Sequence, residues 1–525
     1  MKRIFVLLLC AFLIFGVVGC GGSDNSSDTP SVTSAPNNND SSSDTVSKVE
    51  PLDPPKVKDM VSSIADGGLG SAGVDSISNE SITLTPPDYN GGTVTYNDLD
   101  DRSTLLSAAE TSLNEYNGYL TQLEGLGYIK VVGDRSIIET DNRAAVYTNG
   151  RYLVSTNYIA YNDTAKIMVD ELGISSVEAV NKYLSVFDAD FCVKNIVAEP
   201  LFISLGLSTT DDKNRVGYYN TGLSYMLRLS DGSFVIIDGG DIKEANDHAG
   251  RLMSVINHYA VDKNNVRIAA WIITHPHGDH AKAFTQFYGN YINGSTTVKL
   301  EKIIANIPNY TTAVAATSEG QLLLNQTLRE IFYQAKQNGT DIYKAHTGQV
   351  YNLCGLQLEM LYTYDVTLPQ KMVKGMDNTF SLCFNMYFED KVIHINGDAT
   401  SVSITAMNNM YKHNLKCDIV QVPHHGTVSN FKSSTDADKQ AKNFEQLSLF
   451  YTENTKASYA IWPSTERGKQ YYLSINASTN PNSVLKEIMP SDNIYANGHN
   501  VKEFKFTNGT LSVTEYSYKD IGYSK

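Results

Sequence analysis

The stretch His275-Pro276-His277-Gly278-Asp279-His280 decides the fold, because it sets three histidines and an aspartate directly after a strand-like run at residues 266–274. Two histidines at positions i and i+2 of a tight loop can hold one divalent ion, and Asp279 and His280 can then face a second. Imidazole and carboxylate ligands suit zinc and other borderline metals. The alternative is a surface histidine cluster in which Asp279 caps a helix. The density of ligands in one short loop favours the metal site.

Three further segments combine an apolar, strand-like run with a polar end. Residues 234–240 contain Asp238, residues 392–398 end in Gly397-Asp398, and residues 418–426 end in Pro423-His424-His425-Gly426. Together with the histidine-rich stretch, these segments resemble, in content and order, the motifs of the metallo-β-lactamase fold superfamily of metallohydrolases. The resemblance implies an α/β protein whose residues 200–525 form an αββα sandwich, with two sheets face to face and helices outside.

The resemblance also implies roles for individual residues. Asp398 would bridge two divalent ions, and Asp238 would support the metal loop without binding metal. The last ligand is His424 or His425, and the motif of the superfamily favours His425. Zinc is the favoured metal and manganese the alternative. The implied ligand set is His275, His277, Asp279, His280, Asp398 and His425, with His424 kept as the other candidate.

The sequence departs from the superfamily at one motif. Where relatives carry a further histidine ligand, this chain has Asp377-Asn378-Thr379-Phe380-Ser381. Asp377 could replace that ligand, or the first ion could have more water and fewer protein ligands, which would weaken its binding. His346 precedes the next strand-like run, so it is predicted to be a surface or loop-stabilising histidine. His394 lies inside an apolar run and is predicted to be a hydrogen-bonded core histidine or one that supports the ligands from behind.

The predicted activity is hydrolysis by a metal-bound hydroxide, without a nucleophilic serine or cysteine. The closest likeness is to the hydrolase domain of bacterial DNA-uptake channel proteins and to secreted phosphorylcholine-esterase-like proteins, which implies a phosphoester or phosphodiester substrate. Asn378 and Thr427 are candidate pocket residues, although turn chemistry explains Thr427 equally well. The alternatives are an amide, lactam or ester hydrolase of the same fold and a non-catalytic, lipid-anchored binding protein.

Composition limits the choice of partners. The chain has 525 residues and a net charge of −15, with 42% hydrophobic and 19% charged residues, which is typical of a globular protein with an acidic surface. Such a surface repels polyanions, so no stable nucleic-acid partner is expected, although nucleic acid remains a candidate substrate. A small-molecule or cell-envelope substrate is predicted. The oligomeric state is left open.

The N-terminus predicts export. Residues 1–19 have a cationic start and an apolar run too short to span a membrane, as in a signal peptide. The run ends in Val17-Val18-Gly19-Cys20, which resembles a bacterial lipobox, so Cys20 is the predicted lipidation site. An ordinary cleaved signal peptide is the alternative. Residues 20–55 are polar and predict a disordered tether. We expect a lipid-anchored protein on the extracytoplasmic face of a bacterial membrane.

Residues 100–195 predict a small α+β accessory domain. Apolar residues spaced by three and four from Leu105 to Leu123 predict one helix face. Asn149-Gly150 predicts a hairpin with a type I′ turn, which needs positive φ at both residues. All eleven histidines lie at His248 or later, so this region offers no evident metal centre. An accessory or binding role is expected.

Overall fold

The structure is a computed structural model, and it describes residues 87–100, 102–174, 176–188, 197–207, 222–240, 245–307, 319–368, 377–433, 435–507 and 510–523. The predicted signal peptide at residues 1–19, the tether at residues 20–55 and the lipidation site Cys20 lie outside the described residues. Within the described ranges, no helix has both the length and the apolar character needed to cross a membrane.

The chain first forms an antiparallel sheet, called here the N-terminal sheet. Its strands are β1 (Thr93–Asp100), β2 (Ser103–Ala109), β3 (Ile129–Ser136), β4 (Arg143–Thr148), β5 (Tyr152–Ile159) and β6 (Thr164–Glu171). They lie side by side in the order β1-β2-β6-β5-β4-β3. Helix α1 (Leu113–Gly125) covers one face and buries Tyr116, Leu120 and Leu123 against it.

Helix α1 begins later than the sequence predicts. The expected helix from Leu105 onward is wrong in its first part, because Ser103–Ala109 is strand β2. Leu105 and Leu106 are both buried but belong to different clusters, so the strand lacks the polar–apolar alternation that would mark it. The helix starts at a capping box, in which Ser112 and Glu115 each accept the other's backbone N–H.

The hairpin predicted at Asn149-Gly150 is present between β4 and β5. Only Gly150 has positive φ, at 84°, so the predicted type I′ turn is wrong. The Asn149 side chain instead accepts the amide protons of Arg151 and Tyr152, at 3.1 and 2.9 Å, which closes the loop without a second left-handed residue.

The next part of the chain builds the first sheet of a sandwich. Its strands are β7 (Leu201–Leu205), β8 (Tyr225–Arg228), β9 (Phe234–Ile237), β10 (Val266–Ile273), β11 (Val298–Leu300), β12 (Lys302–Ala305) and β13 (Asp341–Lys344). Strands β9, β10, β12 and β13 are parallel, and β10 also pairs in parallel with β11. The helices of this part are α2 (Val177–Leu184), α3 (Ala245–Tyr259), α4 (Gly278–Phe287) and α5 (Glu319–Gln337).

The second sheet follows in the chain. Its strands are β14 (Val350–Leu353), β15 (Leu356–Tyr362), β16 (Cys383–Phe388), β17 (Lys391–Ile395), β18 (Ile419–Gln421), β19 (Tyr459–Trp462) and β20 (Ile494–Ala496), paired in chain order. Its helices are α6 (Ser401–Tyr411), α7 (Ala437–Leu449), α8 (Glu466–Ser474) and α9 (Leu485–Ile488). The chain then returns to the first sheet, where β21 (Val501–Thr507) pairs with β7 and with β22 (Thr510–Tyr516).

Three apolar layers define the sandwich. The inner layer lies between the sheets and contains Ile237, Ile272 and Ile304 from one sheet and Phe384, Ile393 and Ile419 from the other. A second layer packs α3, α4 and α5 on the outer face of the first sheet. A third packs α6 and α7 on the outer face of the second. The order of layers is therefore αββα, which confirms the predicted fold.

The N-terminal sheet packs on this sandwich with the face that α1 leaves free. Val146 of β4 and Leu153 of β5 belong to the same apolar cluster as the inner layer of the sandwich. A buried ion pair joins the two parts, since Arg135 Nη1 lies 2.7 Å from Glu359 Oε1. The N-terminal sheet and the sandwich therefore share one continuous core.

Candidate metal centre

The motif residues meet because they follow neighbouring parallel strands. His275 and Asp238 come directly after β10 and β9, and Asp398 and His425 come after β17 and β18. Carboxyl ends of parallel strands lie on the same edge of a sheet, where α/β proteins place their sites. The two sheets of the sandwich present these ends to each other. His277 is the N-cap residue of α4, whose first turn carries Asp279 and His280.

The side chains form two groups, and in each group one candidate ligand atom from every residue lies within 4.8 Å of the others. Both groups contain Asp398. Its Oδ1 lies 3.1 Å from His280 Nε2, and its Oδ2 lies 3.3 Å from His425 Nε2 and 3.8 Å from His275 Nε2. The first group is His275, His277 and Asp398, and the second is Asp279, His280, Asp398 and His425. Asp398 is thus the shared residue.

Asp238 is fully buried and orients the histidine-rich loop at residues 275–280. Its carboxylate accepts the Thr274 amide proton and the Thr274 hydroxyl proton, both at 2.7 Å, and the Nδ1 proton of His280 at 2.7 Å. Donation from Nδ1 leaves the Nε2 lone pair of His280 directed at Asp398. Asp238 therefore holds a proton on His280 Nδ1, and both of its oxygens already accept hydrogen bonds.

The two adjacent histidines have different surroundings. His425 is buried, and its Nδ1 lies 3.0 Å from the carbonyl oxygen of Pro463, which can only accept a proton. That contact favours a proton on Nδ1, although the Gly222 amide N–H also points at this nitrogen at 3.2 Å, and Nε2 faces Asp279 at 3.2 Å. His424 lies outside both groups, and its Nε2 is 3.7 Å from Asp398 Oδ2. Of the two candidates, His425 is the one whose ring nitrogen lies within the group of candidate ligand atoms.

The segment that differs from the superfamily motif, residues 377–381, also lies at the site. Asp377 is buried, and its Oδ2 lies 3.6 Å from His277 Nε2, beside the group that is poorer in ligands. Asn378 and Thr427 both contact His424: the Asn378 amide nitrogen lies 3.3 Å from Nε2, and the Thr427 hydroxyl lies 2.7 Å from Nδ1. These two predicted pocket residues hold the His424 ring in place.

The charges suit metal binding. Burial alone would raise the pKa of Asp398, but the imidazoles of His280, His425 and His424 hold it well below its usual range. His425 and His280 likewise lower the pKa of Asp279 against the effect of burial. Burial keeps the pKa of His275 well below its ordinary value, so this ring is neutral. Ionised carboxylates and neutral imidazoles are the forms that bind metals. The same carboxylates raise the pKa of His280 well above its ordinary value and that of His425 to about 9, so an ion at the second group would have to displace a proton from each of these two rings.

The residues fit a pair of divalent ions. Nε2 of His275 is buried and has no hydrogen-bond partner among the described residues, which is costly for a polar atom unless a ligand satisfies it. Its neighbours are imidazole nitrogens and carboxylate oxygens, which are ligands of zinc, iron and manganese. An ion at each group would satisfy that nitrogen and would give Asp398 its two partners.

Two other histidines bear on the predictions. His346 is buried rather than on the surface, since its Nδ1 lies 2.6 Å from Asp365 Oδ2 and its Nε2 lies 2.8 Å from Asp170 Oδ2. The surface interpretation is wrong because one partner comes from the distant N-terminal sheet. His394 is a buried core histidine, as predicted, with Asn385 and Asn396 as its partners.

Sequence reasoning missed three residues that support the site. Thr274 donates to Asp238, and the Ser381 hydroxyl accepts the Asp398 amide proton at 3.0 Å. Gln421 accepts the Asn396 amide proton and donates to the Gly397 carbonyl, so it holds the loop before Asp398. Thr274 and Gln421 each lie within four residues of a motif histidine, and this proximity in the sequence could have indicated their supporting role.

Comparisons with known proteins show only a distant likeness. No protein-family profile and no curated protein matches the chain. A mutant of the β-hydroxylase CmlA matches at 11% identity and a TM-score of 0.30, over 63% of this chain and 62% of its own length. A diphosphatase from the PhnP family matches at 12% identity and a TM-score of 0.30, over 59% of this chain and 98% of its own. A mutant flavo di-iron protein from Thermotoga maritima matches at 17% identity and a TM-score of 0.21, over 36% of this chain and 37% of its own. The chain thus spans less than two thirds of the β-hydroxylase, and scores this low assign no activity to it.

Proposed function

We propose that the protein is a binuclear metallohydrolase of the metallo-β-lactamase superfamily that acts on a phosphoester or phosphodiester. The observation that carries the proposal is the pair of ligand groups that share Asp398. Two divalent ions bound there would lower the pKa of a coordinated water toward neutrality and would offset negative charge on the substrate. The phosphate substrate rests on the sequence resemblance, and zinc is the first candidate metal.

The residues of the chain would have distinct tasks in this reaction. Asp238 keeps a proton on His280 Nδ1, so that His280 presents Nε2 throughout. With an ion at Nε2, the Pro463 carbonyl oxygen would accept the remaining proton of His425 at Nδ1. His424 lies at the border of the ligand groups, and Thr427 and Asn378 fix its ring. Both ring nitrogens of His424 thus have partners, so His424 would shape the pocket beside the ions rather than bind one, and Asp377 would complete the first group.

The first test is elemental analysis of the protein purified without chelators and then supplied with zinc or manganese. Close to two ions per chain is the expected result. The protein should then cleave a chromogenic phosphodiester faster than a chromogenic lactam or carboxylic ester. A protein that binds no ion after metal addition would contradict the proposal and favour a non-catalytic binding protein. Faster cleavage of the lactam or ester would contradict the phosphate assignment alone.

Asp398→Ala separates site chemistry from contaminating activity. It removes the shared carboxylate, so turnover should fall to background and metal content should fall with it. Glu445→Ala is the matched control, since Glu445 is an exposed acidic residue of α7. The control should keep both properties. Turnover by the Asp398 variant at the level of the unchanged protein would refute the bridging role.

We also propose that the protein is exported and anchored by lipid at Cys20. The support is the sequence at residues 1–20, with its cationic start, short apolar run and lipobox. Metabolic labelling with a radioactive fatty acid should label the protein, and Cys20→Ser should abolish the label. Label on the Cys20→Ser variant would contradict the assignment. So would a protein with its natural Cys20 that carries no label and is found in the membrane-free fraction.

A further inference from the structure

We propose that the N-terminal sheet is a positioning element of the candidate metal centre, because one of its faces holds the two segments that lead to and form the Asp377 turn. These segments are residues 363–368 and the turn Asp377–Phe380. The inference deepens the proposed function and rests on it for the role of Asp377. It gives the region before the sandwich a task other than independent recognition.

The argument starts from the alternation of strand β6. Ala165, Ile167 and Val169 belong to the cluster beneath α1, so the residues between them point to the sandwich. Strand β2 places a partner directly opposite each of these. The three cross-strand pairs on this face are Lys166 with Ser107, Met168 with Leu105, and Asp170 with Ser103. The face is polar at both ends and apolar in the middle.

The middle pair contacts the Asp377 turn through an apolar cluster. Leu105 and Met168 are fully buried and pack with Tyr364, Leu368 and Phe380. The rings of Tyr364 and Phe380 meet edge to face, with centroids 5.2 Å apart. Phe380 is the last residue of the turn that Asp377 begins. The apolar centre of the N-terminal sheet therefore anchors one end of that turn.

The Lys166 pair holds the chain at Leu368. Lys166 is buried, and its ammonium group donates to the Ser107 hydroxyl at 3.0 Å and to the Leu368 carbonyl oxygen. Burial lowers the pKa of Lys166 to about 8. Among the described residues no carboxylate lies within ion-pair distance of this ammonium group. Burying this cation costs folding free energy, and its hydrogen bonds to Ser107 and Leu368 and the charge of Asp365 offset that cost only in part.

The Asp170 pair reaches the same segment through His346. The Ser103 hydroxyl donates to Asp170 at 2.5 Å, and the His346 ring joins Asp170 to Asp365. Asp365 lies in the turn Tyr364–Thr367 and also accepts the Thr363 hydroxyl proton at 2.7 Å. Each of the three pairs thus ends on the stretch from 363 to 368 or on Phe380.

The Asp377 turn in turn contacts the candidate metal ligands and the residues beside them. Asp377 lies beside His277, and Asn378 contacts His424. Ser381, the residue after Phe380, accepts the Asp398 amide proton. A shift of Phe380 would therefore move contacts to both ligand groups. The group that includes His277 would be affected most, because Asp377 is its added carboxylate.

The test compares two neighbouring residues of β6 in the full protein. Met168→Ala removes a contact to the Asp377 turn, whereas Ile167→Ala removes an equally buried side chain from the opposite face. Both create a cavity and should lower stability to a similar extent. Lys166→Met is the second site-facing variant, and it should fold at least as stably as the unchanged protein.

The first measurement is amide hydrogen exchange at residues 377–381 in the metal-free protein. Exchange there should be faster in Met168→Ala and Lys166→Met, and unchanged in Ile167→Ala. The second measurement is metal affinity by chelator competition. The weaker site should lose about tenfold in affinity in the two site-facing variants, while the tighter site stays near its original value.

The outcomes separate this inference from the proposed function. Equal exchange in the three variants, or equal loss of affinity in Ile167→Ala, would overturn the positioning role. Failure of the unchanged protein to bind metal would overturn the proposed function. The exchange measurement needs no metal, so it would still show whether the N-terminal sheet restrains the Asp377 turn. If Met168→Ala does not fold, Lys166→Met carries the comparison alone.

Discussion

The pairing of His346 with Asp170 and Asp365 predicts that part of the protein's stability is lost in mildly alkaline solution. His346 is fully buried between the two carboxylates. Burial lowers its pKa, but the carboxylates outweigh this effect and raise it from 6.5 to about 9. In the unfolded chain His346 loses its proton near 6.5, so between these values only the folded protein holds the proton.

The size of the effect follows from the two pKa values. A pKa raised from 6.5 to about 9, at about 1.4 kcal/mol for each pH unit, corresponds to about 3 kcal/mol of stability. This contribution is complete below about pH 6.5 and declines as the pH rises, until it is lost above about pH 9. The loss is large because typical stabilities are only about 5–15 kcal/mol.

Lys166 titrates in the same range with the opposite sign. Its pKa is lowered by burial to about 8, so the folded protein releases this proton before the unfolded chain does. Stability therefore rises from about pH 8 as the cost of the buried charge disappears. The comparison is best made in a Lys166→Met background, with and without His346→Gln, so that the lysine makes no contribution.

The assay is urea unfolding at pH 6 to 10, followed by tryptophan fluorescence and by circular dichroism. The free energy of unfolding of Lys166→Met should exceed that of the double variant most at pH 6. This difference should shrink by about 3 kcal/mol by pH 10. A difference that does not change with pH would refute the argument, because it would mean that His346 is neutral in the folded protein.

Three other substitutions test single contacts. Asp238→Asn should weaken metal binding about 10–100-fold in chelator competition, since an amide cannot fix the His280 tautomer as the carboxylate does; unchanged affinity would contradict this role. Gly426→Ala should cost about 3 kcal/mol in thermal unfolding, because φ is +77° and the new methyl group would lie 2.0 Å from the Trp462 ring. Arg135→Met should cost about 3–5 kcal/mol in urea unfolding, because it leaves Glu359 as a buried charge without its cation, whereas a loss below about 1 kcal/mol would show that the charge finds other partners.

The sandwich and its ligand loops could be predicted because their signals are local. Each motif joins a strand-like run to polar residues within at most fifteen positions, and the strand ends bring Asp238, His275, Asp398 and His425 to one edge. The choice between His424 and His425 could not be made in this way. It depends on the partners of the two rings, since His425 lies against the Pro463 carbonyl oxygen whereas His424 contacts Asn378.

The features that the sequence did not predict depend on contacts between residues far apart in the chain. The sequence shows His346 beside a turn, but its partner Asp170 lies 176 residues earlier. Strand β2 was mistaken for helix because Leu105 packs on the sandwich side and Leu106 beneath α1, which erases the alternation. A strand that is buried on both faces has the composition of a helix segment, and only its pairing with β6 distinguishes the two.

The same long-range contacts argue against treating the sandwich as an independent hydrolase. Without the N-terminal sheet, Glu359 would lose the guanidinium of Arg135, and His346 would lose one of its two carboxylates. The apolar face formed by Tyr364 and Phe380 would be exposed to water beside the candidate ligand Asp377. Unpaired buried charges and exposed aromatic side chains are each costly, so a truncated sandwich would relax first where these residues lie. Loss of metal or activity on truncation would therefore reflect disturbance of the Asp377 turn and would not by itself show that the N-terminal sheet binds substrate.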